Sequence, residues 1–203
     1  MRKIIIAGLL LSSFISKAQQ GSPVLNETLK TELESILKRD QQGRAMVDSV
    51  QQQYGIGSKE LLALAESIAL HDSINLQRVT GIITQYGWPG KSLVGDKANR
   101  AVFLVIQHAE PEAQKKYLPL LSESVKKGES SAKHLAYLED RVLMREGKPQ
   151  WYGTQLIADE TTGKWKLYTI AEEESVDERR IKIGLIPLAE YVKQFGIEYK
   201  MPR

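Results

Sequence analysis

Residues 137–155 bring together several side chains that could bind a ligand. The adjacent pair Asp140 and Arg141 is followed, after a glycine and a proline, by Tyr152 and Gln155. An arginine presents a rigid fork of N–H donors, and a glutamine amide can both donate and accept a hydrogen bond. These residues predict a pocket for a small anionic or carboxamide-bearing ligand, or for a peptide terminus.

A histidine at the end of the most apolar stretch could add acid–base chemistry. Gln107 and His108 follow the run AVFLVI, which is apolar on all sides and therefore predicts a buried helix. Helices joined by short loops usually run antiparallel, which brings His108 near the level of Asp140. Asp140 could then orient His108 as the general base of a hydrolase or transferase.

Polar residues also interrupt the apolar stripes of other predicted helices. Burying a polar group costs about 1–3 kcal/mol unless it is hydrogen-bonded, so each interruption predicts a partner. Taken singly, each is well explained as a structural ion pair or a helix cap. Their number favours a shared polar cluster. The interruptions are Asp40 with Arg44, Asp72 with Asn75, Gln107 with His108, Asp140 with Arg141, and Arg179 with Arg180.

Known catalytic and metal-binding motifs do not account for these residues. The pair His71 and Asp72 lacks the additional upstream histidine of HD phosphohydrolases, and the chain contains no HExxH, no GxSxG and no P-loop pattern. His108 and His134 should lie at opposite ends of antiparallel helices, roughly 15–20 Å apart. We therefore expect no metal site and no cofactor.

The N-terminus has the features of a secretory signal peptide. Arg2 and Lys3 precede an apolar run, and Ala18 closes a small-residue cleavage pattern. We expect residues 1–18 to be removed and residues 19–203 to form a single helical domain. The mature protein would be exported, to the periplasm or the medium, with no membrane span remaining.

Charge and cysteine content argue against two further classes of protein, nucleic-acid binders and disulfide-stabilised domains. Removing the leader's three basic residues from the 28 of the chain leaves 25 bases against 25 acids. A neutral mature chain lacks the basic surface expected of a nucleic-acid binder. Cysteine is absent, so disulfides cannot stabilise the fold.

Hydrophobic periodicity predicts a mainly α bundle of about five longer helices. Asn26 is a plausible cap for the first, Asp96 for the third, and Pro119 should kink or split the fourth. The predicted helices span residues 26–54, 58–86, 96–108, 111–127 and 131–146.

The pattern changes after the fifth predicted helix. WYGTQLIAD and KWKLYTIA, separated by ETTG, predict a β-hairpin with Gly163 in its turn. Two short helices should follow, near residues 177–183 and 187–195. The sequence thus predicts one mainly α domain with a C-terminal hairpin.

Several blocks of the sequence together resemble a known family. In order they are RDQQGR, YGWPGKSLVG, QHA, KKGE, HLAYLEDRVL, GKPQWYGTQ, VDERR and GLIPLAEY. This succession resembles a family of exported and cytosolic bacterial proteins known only as a domain of unknown function. The resemblance implies a bacterial source and assigns no activity, fold or cofactor. Its motif positions are Asp40, Gln41, Arg44, Trp88, Gly90, Gln107, His108, Asp140, Arg141, Tyr152, Gly153, Gln155, Asp177 and Arg180.

Three functional hypotheses follow from these observations. The first is a cell-envelope module that binds a small molecule or an envelope protein. The second is a hydrolase or transferase with His108 as general base. The third is a structural accessory in which Asp140, Arg141 and Arg180 only clip the hairpin to the helices. The main binding candidates are Gln107, His108, Asp140, Arg141, Tyr152, Gln155 and Arg180, and the secondary ones are Asp40, Arg44 and Trp88.

Overall fold

A computed structural model describes residues 25–159 and 164–200 of the chain. Within them the fold is a mainly α bundle with a small C-terminal hairpin, as predicted. The leader and the Gly163 turn lie outside the described residues. None of the helices in the described ranges combines the length and apolar character needed to cross a bilayer. The helices are α1 (Glu27–Arg44), α2 (Val47–Tyr54), α3 (Lys59–Tyr86), α4 (Lys91–His108), α5 (Pro111–Lys126), α6 (Ala132–Arg145), α7 (Val176–Lys182) and α8 (Leu188–Lys193).

The first predicted helix is divided in two. The Asn26 side chain caps α1 by accepting from the Leu29 backbone N–H at 3.0 Å, but the helix ends at Arg44 and α2 begins only at Val47. The prediction of one helix over residues 26–54 is therefore wrong. Its apolar stripe is interrupted between Leu37 and Val47, where only Asp40 is buried, so little apolar surface holds the helix together there.

The buried core lies between α1, the C-terminal half of α3, and α4. As predicted, AVFLVI is buried along nearly its whole length. The helix starts at Lys91 rather than at Asp96, with a break at Gly95, whose φ of 80° is unfavourable for other residues. α4 therefore runs through the centre of the bundle and ends at His108.

The remaining long helices cover one side of α4. α5 continues through Pro119 instead of splitting there, and α6 matches the fifth predicted helix within about one residue at each end. Both pack against α4 and against each other. The polar residues of α6 are thereby placed between the bundle and the C-terminal segment.

The C-terminal segment is a small layer with its own apolar cluster. Strands β1 (Leu156–Ala158) and β2 (Trp165–Leu167) pair antiparallel, with Leu156 opposite Leu167. A short 3₁₀ turn, α7 and α8 follow. Val176, Leu188 and Val192 are fully buried in this cluster. The segment is joined to α6 through the loop of residues 150–155.

Candidate functional site

The structure places the predicted site residues in two separate regions of the protein. Gln107 and His108 are adjacent on α4, but they belong to different regions. The Gln107 amide donates to the Tyr137 carbonyl of α6 at 3.5 Å, and the Gln155 amide donates to the same carbonyl at 3.4 Å. His108 instead contacts α1. Successive helical residues point about 100° apart, so Gln107 and His108 serve different surroundings.

His108 forms a pair with a buried carboxylate of α1. The Asp40 side chain is almost fully buried, and its Oδ1 lies 3.0 Å from His108 Nδ1. The Gln41 amide donates to its Oδ2 at 2.6 Å. Burial opposes ionisation, but the hydrogen bonds and the His108 charge outweigh it and lower the pKa of Asp40. An ionised carboxylate only accepts hydrogen bonds, so His108 Nδ1 is the donor of this pair, and Nε2 has no hydrogen-bond partner within the described residues.

A second ion pair stands beside this one and links α1 to α3. Arg44 binds Asp72 through its fork, with Nη1 to Oδ1 at 3.0 Å and Nη2 to Oδ2 at 2.7 Å. Arg44 Nη1 also donates to the Asp40 carbonyl at 3.1 Å. Because Asp40 and Arg44 are four residues apart on one helix, they present both groups to the same end of the bundle.

A pocket opens next to these pairs. Its volume is about 310 Å³. The Asp72 and His108 side chains are about one quarter and one fifth exposed, so a small molecule can reach both. The pocket lining contains an imidazole, two carboxylates and a hydroxyl, together with apolar side chains. The lining residues, named together the His108 pocket, are Ala69, Asp72, Ser73, Leu76, His108, Ala109 and Glu110.

Some of the same residues could hold a metal ion. One ligating atom from each of Asp40, Asp72 and His108 lies within 4.8 Å of the others. The expectation of no metal site considered only histidine spacing and cysteine, and it did not count carboxylates from other helices.

The second place is the loop 150–155, which Asp140 fastens to α6. The fully buried Asp140 carboxylate accepts from the backbone N–H groups of Trp151 at 2.8 Å, Tyr152 at 3.0 Å and Thr154 at 2.9 Å. The Thr154 hydroxyl donates to it at 2.9 Å. Burial raises the pKa of Asp140, and these hydrogen bonds act in the opposite direction. Asp140 therefore holds a loop, and the prediction that it orients His108 is wrong.

Arg180 fastens the same loop from the other side. Its side chain is fully buried, its Nε donates to the Ile186 carbonyl at 2.7 Å, and its Nη1 donates to the Tyr152 carbonyl. The guanidinium also lies 4.9 Å from the centre of the Tyr191 ring. Asp140 binds the N–H groups of the loop and Arg180 binds its Tyr152 carbonyl, so the loop is fixed as the joint between the bundle and the hairpin.

Arg141 does not join this arrangement. Within the described residues it makes no hydrogen bond or ion pair, and its buried Nε has no partner. Burial and the positive charge of Arg145 lower the pKa of Arg141. The expectation that Arg141 forms a cluster with Asp140 and at least one residue of the YGTQ segment is therefore wrong, because the N–H groups of the loop occupy the carboxylate.

Sequence reasoning found parts of the His108 pocket without assembling them. Asp40 and Arg44 were only secondary candidates, and Asp72 was noted as a polar interruption without a partner. Glu110 and Ser73, which also line the pocket, belong to no sequence pattern that predicted a binding site. Trp88, the other secondary candidate, lies in the main apolar core and belongs to neither place.

Comparison with known proteins identifies the family. Residues 28–201 match a family of unknown function (DUF6624), and the chain belongs to it. No curated protein and no solved structure matches the chain. The predicted resemblance to a family of unknown function is thus confirmed.

Proposed function

We propose that this family member binds a small polar ligand in the His108 pocket, as an exported protein of a bacterial cell envelope. The observation that carries the proposal is the Asp40–His108 pair at the pocket wall. The proposal of export is supported by the leader pattern of residues 1–18, in which basic residues, an apolar run and small residues follow in order.

A fixed imidazole beside an accessible pocket supports a ligand site more strongly than the loop 150–155 does. Backbone N–H groups of the loop are bound by Asp140, whereas His108 Nε2 has no hydrogen-bond partner within the part of the chain that the structure describes. Convergent polar groups in a concave, partly apolar site are the usual form of a small-ligand pocket.

The lining indicates the ligand's chemistry. Glu110, Ser73 and the free nitrogen of His108 can all accept hydrogen bonds, and Glu110 is negatively charged, whereas the charge of Asp72 is paired with Arg44. A ligand carrying amino or hydroxyl groups complements this wall. The anionic ligand expected from the sequence was assigned to Arg141, which does not line this pocket.

Calorimetric titration with small amines tests the proposal. Putrescine, glucosamine and lysine serve as probes, and we expect at least one to bind with a Kd below about 1 mM. His108→Gln should remove the binding. His71→Gln is the matched control, because His71 is exposed and does not line the pocket. Binding that survives in His108→Gln, or no binding by any probe, contradicts the proposal.

A second candidate function is hydrolysis or group transfer with His108 as general base. The specific observation in its favour is the buried Asp40, which fixes the tautomer and orientation that a base requires. General-base catalysis typically contributes about 10²–10⁴-fold, so His108→Gln should lower turnover of a p-nitrophenyl ester or phosphate by that factor. Asp40→Asn should lower it less. Equal turnover in the parent and both variants excludes this candidate.

A further inference from the structure

We infer that Asp40, Asp72 and His108 form a binding site for one divalent transition-metal ion, such as Zn²⁺. The inference rests on the proposed function in using the same pocket, and it names a class of ligand for it. An imidazole nitrogen with two carboxylates is a donor set that suits Zn²⁺, and also Mn²⁺ or Fe²⁺.

The spacing of the donor atoms supports the assignment. His108 Nδ1 and Asp40 Oδ1 are 3.0 Å apart. Two ligands at about 2.1 Å from a tetrahedral Zn²⁺ ion are separated by about 3.4 Å, so a movement of about 0.5 Å would fit the observed pair to an ion. An ion could therefore replace the proton that the two atoms share. Asp72 has a ligating atom within 4.8 Å of both, so a movement of about 1–2 Å would complete three protein ligands.

The surroundings supply the other requirements of a metal site. Asp72 and His108 both line the pocket, which gives the ion a route of entry and leaves an open coordination position. Gln41 donates to the second oxygen of Asp40 at 2.6 Å, the kind of outer contact that orients a ligating carboxylate. Two negative carboxylates match the charge of a divalent ion.

Arg44 is the group that competes with the ion. Its guanidinium occupies both oxygens of Asp72, at 3.0 and 2.7 Å. Arg44 thus provides a positive charge at the position where the ion would supply it. If Arg44 competes with the ion for Asp72, removing Arg44 should strengthen metal binding. If the Arg44–Asp72 ion pair instead holds the site in shape, removing Arg44 should weaken metal binding. The sign of this effect separates a metal site from a merely structural network.

Calorimetric titration of the chelator-treated full chain with ZnCl₂ tests the inference, without any organic ligand present. We expect one ion per chain, with affinity lowered at least about tenfold by Asp72→Asn and by His108→Gln. Arg44→Gln should raise the affinity by about two- to fivefold, the equivalent of one partly exposed ion pair. His71→Gln, the matched exposed histidine, should bind as the parent does.

A measurement on the parent chain covers the case in which a variant fails to fold. With ¹³C-labelled histidine, Zn²⁺ should shift the His108 imidazole signal and leave those of His71 and His134 unchanged. The inference is overturned if the parent binds no ion, if His108→Gln and Asp72→Asn bind like the parent, or if a different histidine responds. Absence of zinc binding alongside binding of an amine would leave the proposed ligand pocket intact.

Discussion

Replacing Asp140 with asparagine should show that the loop 150–155 is a structural joint. The carboxylate accepts from three backbone N–H groups and one hydroxyl, at 2.8 to 3.0 Å, and it is fully buried. Asparagine keeps the shape of the side chain and one acceptor oxygen. Its NH₂ group, however, faces backbone donors where an acceptor is required.

The expected cost follows from counting the donors left without an acceptor. Thr154 is buried, so its N–H and hydroxyl cannot turn to water, whereas Trp151 and Tyr152 are partly exposed and can. An unsatisfied buried donor costs about 1–3 kcal/mol, so losing the acceptor for both Thr154 donors should cost about 2–6 kcal/mol. Urea unfolding followed by far-ultraviolet circular dichroism measures this loss.

Asp48→Asn is the matched control, because Asp48 is exposed on α2 and should change the unfolding free energy by less than about 0.5 kcal/mol. A loss below about 1 kcal/mol in Asp140→Asn would show that these hydrogen bonds do not fix the loop.

Three further predictions concern other parts of the chain. Arg141→Met should change the free energy of unfolding by less than about 1 kcal/mol, since no hydrogen-bond partner within the described ranges is lost, and a larger loss in a thermal melt would reveal one. Burial and the Arg100 charge lower the pKa of His134 to about 4 from 6.5, so stability should fall by about 1–3 kcal/mol as pH drops from 6.5 to 4. His134→Phe should flatten that profile in urea unfolding, and an unchanged profile would assign the effect elsewhere. N-terminal sequencing of exported protein should begin at Gln19, whereas intact Met1 in a membrane fraction would mean that the leader is an anchor.

The sequence predicted the helices because their apolar periodicity is local. Residues 131–146, for example, contain the whole apolar stripe of α6, so the helix can be predicted from this one segment. The break after Arg44 was missed because the residues on both sides favour helix, and it follows a stretch in which the apolar stripe is interrupted, between Leu37 and Val47.

The site was harder to predict because its partners are distant in sequence. His108 lies 68 positions from Asp40, and Arg44 lies 28 positions from Asp72. The antiparallel arrangement of the helices predicted the position of His108 along the bundle axis. Asp140 lies at a similar level, and it was therefore the predicted partner of His108. The direction of a side chain around its helix depends on how the helices pack, and that rotation turned His108 towards α1 instead.

One NMR spectrum can compare the His108 pocket with the loop 150–155 directly. The chain has three histidines and three tryptophans, so labelled imidazole and indole signals report the His108 pocket and the loop 150–155 separately. Titration with the amine probes should shift the His108 signal and leave that of Trp151 in place. A shift at Trp151 with His108 unchanged would contradict the claim that the His108 pocket, and not the loop fastened by Asp140, is the functional site.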